Sequence, residues 1–199
     1  DYTYLAFTVA KGDGFYHSET GWRNSEDFLQ LCFITQSDYK KLTGRTVDLN
    51  DNEILLLDAT NEVKDDIHLK MGDYSFDFTV KEFLDDFPPI GNLALYLVDT
   101  SYAVVKDDKV FYTIYEGQKS AYGDKTSEIN WISAIDINQN EDIQIKCADE
   151  IKGLSSEDGI GVFKNLYVDT KAQGSAEIYA MNGGFLFLGL FLGIIFIMA

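Results

Sequence analysis

Residues 74–80 read YSFDFTV and alternate apolar with polar side chains at a period of two residues. This alternation is typical of a β-strand that has one buried face and one face in water. The same period recurs in residues 5–9, 129–137 and 143–147. We therefore predict half-buried strands at all four places.

Two further segments, 54–57 and 93–98, are unbroken apolar runs, which suit central strands that are covered on both faces. Residues 110–115 are followed by Glu116 and Gly117 and predict a strand that leaves into a turn. Aromatic residues make up 14% of the chain, and most of them are Phe and Tyr, which favour strands. The sequence thus predicts a strand-rich core.

Helical signals are fewer and shorter. Thr35 and Asp38 have the spacing of a capping box at the start of a short helix, and Gly44 stands where a helix C′ glycine belongs. Residues 81–86 predict a second short helix, which the prolines at 88–89 would stop. Together with the strands, these helices predict a mixed α+β fold.

The chain loses its charge at one place. Every charged side chain lies before Asn182, and residues 183–199 read GGFLFLGLFLGIIFIMA. A helix of that length is about 25 Å long, slightly short of the hydrocarbon core of a bilayer. We therefore predict that residues 182–199 begin a transmembrane helix and that residues 1–181 form one α+β domain ahead of it. A buried core helix and a cleaved lipid-anchor signal are the alternatives for this segment.

Two groups of residues in the apolar segment have predicted roles. Asn182, Gly183 and Gly184 break the chain at the membrane boundary, where we expect them to act as a hinge. Gly189 and Gly193 form a G-x-x-x-G pattern, which lets another membrane helix approach closely. These five residues are the functional residues that the sequence predicts.

The charge of the chain limits its partners. The 199 residues include 33 Asp and Glu against 16 Lys and Arg, and the net charge is −17. This balance disfavours nucleic acid as a partner, because phosphate binding needs a basic surface. Lys and Arg are scarce just before residue 183, which favours the extracellular side of the membrane for residues 1–181.

Patterns for catalysis or metal binding are incomplete. His17 and His68 lie outside any metal-ligand spacing, and the run at 48–52 lacks the later Gly and Glu of a calcium loop. The S-x-x-K match at 37–40 lacks the companion motifs of penicillin-recognising enzymes. Three aspartate doublets are interpreted as solvated surface, and they lie at 65–66, 85–86 and 107–108. We expect no catalytic residue, no metal and no cofactor, with a membrane-anchored enzyme as an alternative.

The two cysteines are Cys32 and Cys147, and both lie in apolar surroundings along the sequence. Each is predicted to be a small buried hydrophobe. A disulfide between them is the alternative, which spacing alone does not decide.

Four short blocks of sequence carry a resemblance to a known family. They are GWRNSEDF at 21–28, QLCFIT at 30–35, SDYKKLTG at 37–44 and EILL at 53–56. The blocks resemble the extracellular domain of FtsX-like (MacB-type) ABC-transporter permeases of Gram-positive bacteria, in the bacitracin-export, antimicrobial-peptide-resistance branch. Residues 179–193 resemble the start of the membrane helix that follows this domain.

The resemblance implies a long, multi-pass permease in the cell membrane, with this domain on the extracellular side between two membrane helices. It implies a separate cytosolic ABC ATPase subunit, membrane lipid around the helices and a sensor histidine kinase as partners. It also implies that the domain senses or dislodges antimicrobial peptides at the cell surface, and that it holds no catalytic residues.

The acidic surface is compatible with that role, because it would attract cationic peptides and raise their encounter rate. The alternative is that the charge mainly keeps the protein soluble. A different class of function also fits the sequence, namely a surface binding or adhesion module that is held by a single C-terminal membrane helix.

Overall fold

The structure is a computed structural model of the 199-residue chain. It describes residues 1–12, 15–18, 28–60, 63, 65–88, 90, 99–153, 166–168, 170 and 187–188. The chain divides into two compact units, residues 1–134 and residues 135–199. Each unit is considered by itself below.

The described part of the first unit contains eight strands and two α-helices. The strands are β1 (Tyr2–Gly12), β2 (Phe15–Ser18), β3 (Phe28–Thr35), β4 (Glu53–Leu57), β5 (Asp66–Met71), β6 (Tyr74–Phe83), β7 (Thr100–Val105) and β8 (Ile129–Ile132). The helices are α1 (Gln36–Thr43) and α2 (Asp108–Tyr122), and a short 3-10 turn, Gly123–Lys125, follows α2. The second unit contains α3 (Glu141–Gly153).

The strands form one mixed sheet, in which hydrogen-bonded neighbours follow the order β2-β5-β6-β4-β7-β3-β1-β8. Because β2 also pairs with β1, the pairing of seven strands closes into a ring, and β8 adds to the N-terminal half of β1. The pairs β2–β5, β3–β7 and β4–β6 are parallel, whereas the other pairs are antiparallel. The predicted mixed α+β fold with a strand-rich core is thereby confirmed.

One apolar cluster lies on the face of the sheet that α2 covers. Phe33 of β3 is at its centre, with its ring centroid 5.7 Å from that of Phe7 and 6.3 Å from that of Phe78. Helix α2 adds Phe111 and Ile114, which are both fully buried. The helix is therefore held mainly by the burial of apolar surface.

A second apolar cluster involves the alternate residues of the same strands. Ile34 of β3 and Val104 of β7 pair with each other and are fully buried there, together with Leu55 of β4. Tyr39 brings α1 into this cluster. Strands β3, β4 and β7 are therefore buried on both faces, as residues 54–57 predicted for β4.

Helix α1 has the caps that the sequence predicted. The Thr35 side chain accepts a hydrogen bond from Asp38 N at 3.2 Å, and Gly44 has a left-handed φ of 75°. The buried Asp38 carboxylate also accepts from Thr3 N at 2.9 Å and from Lys41 Nζ at 2.6 Å. These bonds fasten α1 to the beginning of β1.

Two strand predictions are wrong, because both segments are helices. Residues 110–115 lie in α2, where Asp107 Oδ1 accepts a hydrogen bond from Val110 N at 3.0 Å and caps the helix. The buried side chains of α2 recur at helical spacing. Residues 143–147 lie in α3, where the Asn140 side chain accepts from Ile143 N at 3.0 Å. In both places a polar cap just before the apolar residues outweighs the strand signal, which was a run before a turn at 110–115 and a period of two at 143–147.

Two further predictions are corrected in part. The run 129–137 is a strand only as far as Ile132, where its pairing with β1 ends. Residues 81–86 form no helix, because β6 continues to Phe83 through its pairing with β4, and an irregular segment follows. The predicted strand at 93–98 lies outside the described residues.

The predicted membrane segment, 182–199, is described only at 187–188, which have helical backbone conformation and exposed side chains. Among the described residues, no helix has both the length and the apolar character needed to cross a bilayer. The predicted hinge at 182–184 and the glycines Gly189 and Gly193 lie outside the described residues. The transmembrane helix and the hinge therefore stay predictions.

The packing of α2 on β6 gives a direct test of the fold. A Cβ added to Gly117 would lie 2.9 Å from Cζ of Phe76, inside contact distance. We expect Gly117→Ala to lower the free energy of unfolding by about 1–2 kcal/mol, since overpacking outweighs the gain in helix propensity. The measurement is urea denaturation followed by near-ultraviolet circular dichroism. Ser120→Ala, at an exposed position of the same helix, is the matched control, and an equal loss in both variants would contradict this packing.

Candidate functional site: a cleft beside the first helix

A cleft of about 650 Å³ lies between α1 and the end of β6. One wall consists of residues of α1 and just after it, namely Tyr39, Leu42, Thr43 and Arg45. The other wall consists of Glu82 and Phe83 at the end of β6 and of residues 84–88 after it. The cleft thus joins two segments that are far apart in the sequence.

Residues 84–88 are held in place at both ends. The ring of Phe87 stacks on Tyr102 at 4.6 Å between centroids and lies 5.6 Å from the ring of Tyr39. Leu84 is buried, and its backbone N–H donates to Leu56 O at 2.8 Å. This wall of the cleft is therefore anchored by aromatic stacking and by a bond to the sheet.

The charges of the cleft are unbalanced toward negative. Arg45 Nη2 donates to Glu82 Oε2 at 2.5 Å, and this hydrogen bond raises the pKa of Arg45. Asp85 and Asp86, three and four residues after Glu82, also line the cleft and are exposed. Among the described residues that line the cleft, Arg45 is the only cation, against three carboxylates.

Aromatic side chains give the cleft an apolar surface beside those carboxylates. Tyr39 is buried, whereas Phe83 is 43% exposed and available to a ligand. Aromatic faces attract cations as well as apolar groups. The cleft therefore suits a ligand that carries both a positive charge and an apolar body.

None of the residues predicted from the sequence as functional is among the described residues that line the cleft. The hinge at 182–184 and the pair Gly189 and Gly193 lie outside the described part of the chain, so their roles stay predictions. The aspartate doublet at 85–86 was the visible signal, but solvated surface explained it equally well. The prolines at 88–89 gave a second signal, since they mark a loop at this place.

His68 and the run at 48–52, which were also considered for chemistry, make polar contacts at the surface. His68 Nδ1 lies 2.7 Å from Asp77 Oδ1 between β5 and β6, where both side chains are exposed. In the run at 48–52, Asp51 Oδ1 accepts a hydrogen bond from Lys106 Nζ at 2.5 Å, and this hydrogen bond lowers the pKa of Asp51. In the part of the chain that the structure describes, no group of three potential metal ligands comes together.

Both cysteines are described, and both are free thiols. Cys32 is fully buried on β3, as predicted, and this burial raises the pKa of its thiol. Cys147 is half-buried on α3 rather than on a strand. The alternative of a disulfide between them is not found.

No protein-family model matches this chain, and no curated protein sequence matches it either. A function for the cleft therefore rests on its geometry and charge and on the resemblance of the sequence blocks described above.

The two thiols should differ in reactivity. At about pH 8 we expect Ellman's reagent to modify Cys147 readily and Cys32 only after unfolding, because Cys32 is inaccessible and its raised pKa keeps it protonated. Absorbance should therefore report one thiol in the native protein and two in guanidinium chloride. Cys147→Ser is the control and should leave no fast reaction. Rapid modification of Cys32 in that variant would contradict its burial.

Proposed function

We propose that this chain is the extracellular domain of a multi-pass, FtsX-like (MacB-type) ABC-transporter permease in the cell membrane. In this proposal the domain senses or dislodges bacitracin-like antimicrobial peptides at the cell surface. A cytosolic ATPase subunit hydrolyses ATP, membrane lipid surrounds the permease helices, and a sensor histidine kinase receives the signal. The domain itself binds and transmits, and catalyses no reaction.

The observation that carries the proposal is the acidic, aromatic cleft beside α1. Two of the blocks that resemble the permease family, 37–44 and 53–56, lie in α1 and β4, and α1 forms one wall of the cleft. One of the four resembling blocks, 37–44, therefore contributes residues to the cleft. This coincidence supports a ligand-binding role for the domain.

The charge of the cleft and the charge of the whole chain act at different distances. The net charge of −17 attracts cationic peptides from afar, and such steering can raise association rates by about 10-fold or more at low ionic strength. In about 0.15 M salt, screening limits this attraction to about 8 Å. Only carboxylates close to a bound peptide, such as Asp85 and Asp86, then add to its affinity.

The membrane part of the proposal has its own test. An antibody against residues 1–181 should detect, in membranes of the source cell, a product well above the mass of this 199-residue chain. That product should stay in the membrane during a carbonate wash and should bring the ATPase down with it. A membrane product close to the mass of this chain would refute the permease and favour a single-span surface module.

The role of the cleft is tested by two charge-matched double variants. The probe is a dansyl-labelled basic peptide with arginine and tryptophan side chains, added to the 199-residue chain in mild detergent. We expect Asp85→Asn/Asp86→Asn to weaken binding by about threefold to tenfold at physiological salt, because two nearby carboxylates are lost.

The control is Asp65→Asn/Asp66→Asn, which removes the same charge at a doublet outside the cleft. We expect it to change the affinity by less than about twofold, because screening weakens distant charges. Equal losses in the two double variants would place the effect in the net charge and would refute the cleft as the binding site.

A further inference from the structure

Glu82 is the carboxylate of the cleft that already holds a cation. Its Oε2 accepts from Arg45 Nη2 at 2.5 Å, and the two side chains are 45% and 44% exposed. The guanidinium reaches Glu82 across the cleft from the residue after Gly44, the left-handed cap of α1. The pair is therefore open to water and to a ligand at the place where the two walls approach each other.

An incoming basic side chain would meet the same partners as Arg45. A guanidinium or ammonium that replaced Arg45 would find the Glu82 carboxylate, with the exposed ring of Phe83 beside it in the sequence. Exposed ion pairs contribute little net free energy, so the exchange of one cation for another costs little. Arg45 would then be released into water, where it is readily solvated.

We infer that Glu82 is the carboxylate that receives a basic side chain of the ligand, and that Arg45 is an internal competitor that the ligand has to displace. This inference rests on the proposed binding role of the cleft and adds to it the ligand chemistry and the competing residue. Arg45 thus lowers the affinity for every ligand that binds Glu82, and it is not itself a ligand-binding residue.

The apolar surface beside Glu82 favours one class of ligand over another. A small cation without an apolar body gains only the carboxylate that Arg45 gives up, so it has little advantage over Arg45. A peptide with arginine or lysine next to an aromatic or aliphatic side chain also gains contact with Phe83 and with Leu42. The cleft therefore selects basic, amphipathic peptides over simple cations.

The neighbouring residue on β6 provides a matched control. Lys81 Nζ lies 3.0 Å from Glu53 Oε2, with the two side chains 45% and 23% exposed, and it does not line the cleft. Lys81→Gln and Arg45→Gln each remove one positive charge and one exposed ion pair. They differ in whether the carboxylate that loses its cation belongs to the cleft.

The experiment measures binding of the dansyl-labelled arginine–tryptophan peptide to the 199-residue chain in mild detergent, at about 20 mM salt, where screening is weak. We expect Arg45→Gln to bind about threefold to fivefold more tightly than the unaltered chain. The affinity of Lys81→Gln for the peptide should stay within about 1.5-fold of that of the unaltered chain. Glu82→Gln should weaken binding, and Arg45→Gln/Glu82→Gln should bind no better than Glu82→Gln, since the competitor acts only through that carboxylate.

A second measurement tests whether Arg45 also competes with a small cation. With the labelled peptide well below its Kd, acetyl-arginine amide, a cation with little apolar surface, should displace the peptide from Arg45→Gln at lower concentration than from the unaltered chain. An equal gain in peptide affinity for Arg45→Gln and Lys81→Gln, or no gain for Arg45→Gln, would overturn the inference. The proposed function would still be decided by the separate test with the aspartate doublets. A failure of every variant to bind the peptide would refute both.

Discussion

The burial of β3 on both of its faces is the constraint on which the rest of the first unit depends. Phe33 faces one apolar cluster and Ile34 faces the other, so a change in register by one residue would exchange the two sets. Thr35 is both the last residue of β3 and the N-cap of α1. The strand therefore fixes where α1 begins and, through it, one wall of the cleft.

The cleft is preorganised by contacts that tie its two walls to the sheet. Phe87 is held between Tyr39 and Tyr102, and Asp38 ties α1 to Thr3 on β1. Because both walls are attached to the sheet in this way, a ligand would not have to order them when it binds. The charged side chains of the cleft, which a ligand would contact, are exposed, namely Arg45, Glu82, Asp85 and Asp86.

Local sequence signals predicted those elements whose structure is decided locally. The alternation in β6, the unbroken apolar run in β4 and the caps of α1 are all visible within a few residues. Helix α2 was missed because its aromatic and β-branched residues favour strands, whereas its cap and the burial of Phe111 and Ile114 favour the helix. The sequence marked only one wall of the cleft, at 85–89, and did not predict the cleft itself, since Arg45 and Glu82 are distant in sequence and meet only in the folded chain.

The closure of seven strands into a ring has a consequence for the behaviour of the protein in solution. An open sheet presents two rows of unpaired backbone groups, and each row can template the addition of a strand from another molecule. In the ring each strand has a neighbour on both sides, and the added strand β8 is only four residues long. The described strands of the first unit therefore leave β8 as the edge strand at which another molecule could add a strand, whereas an open sheet would leave two.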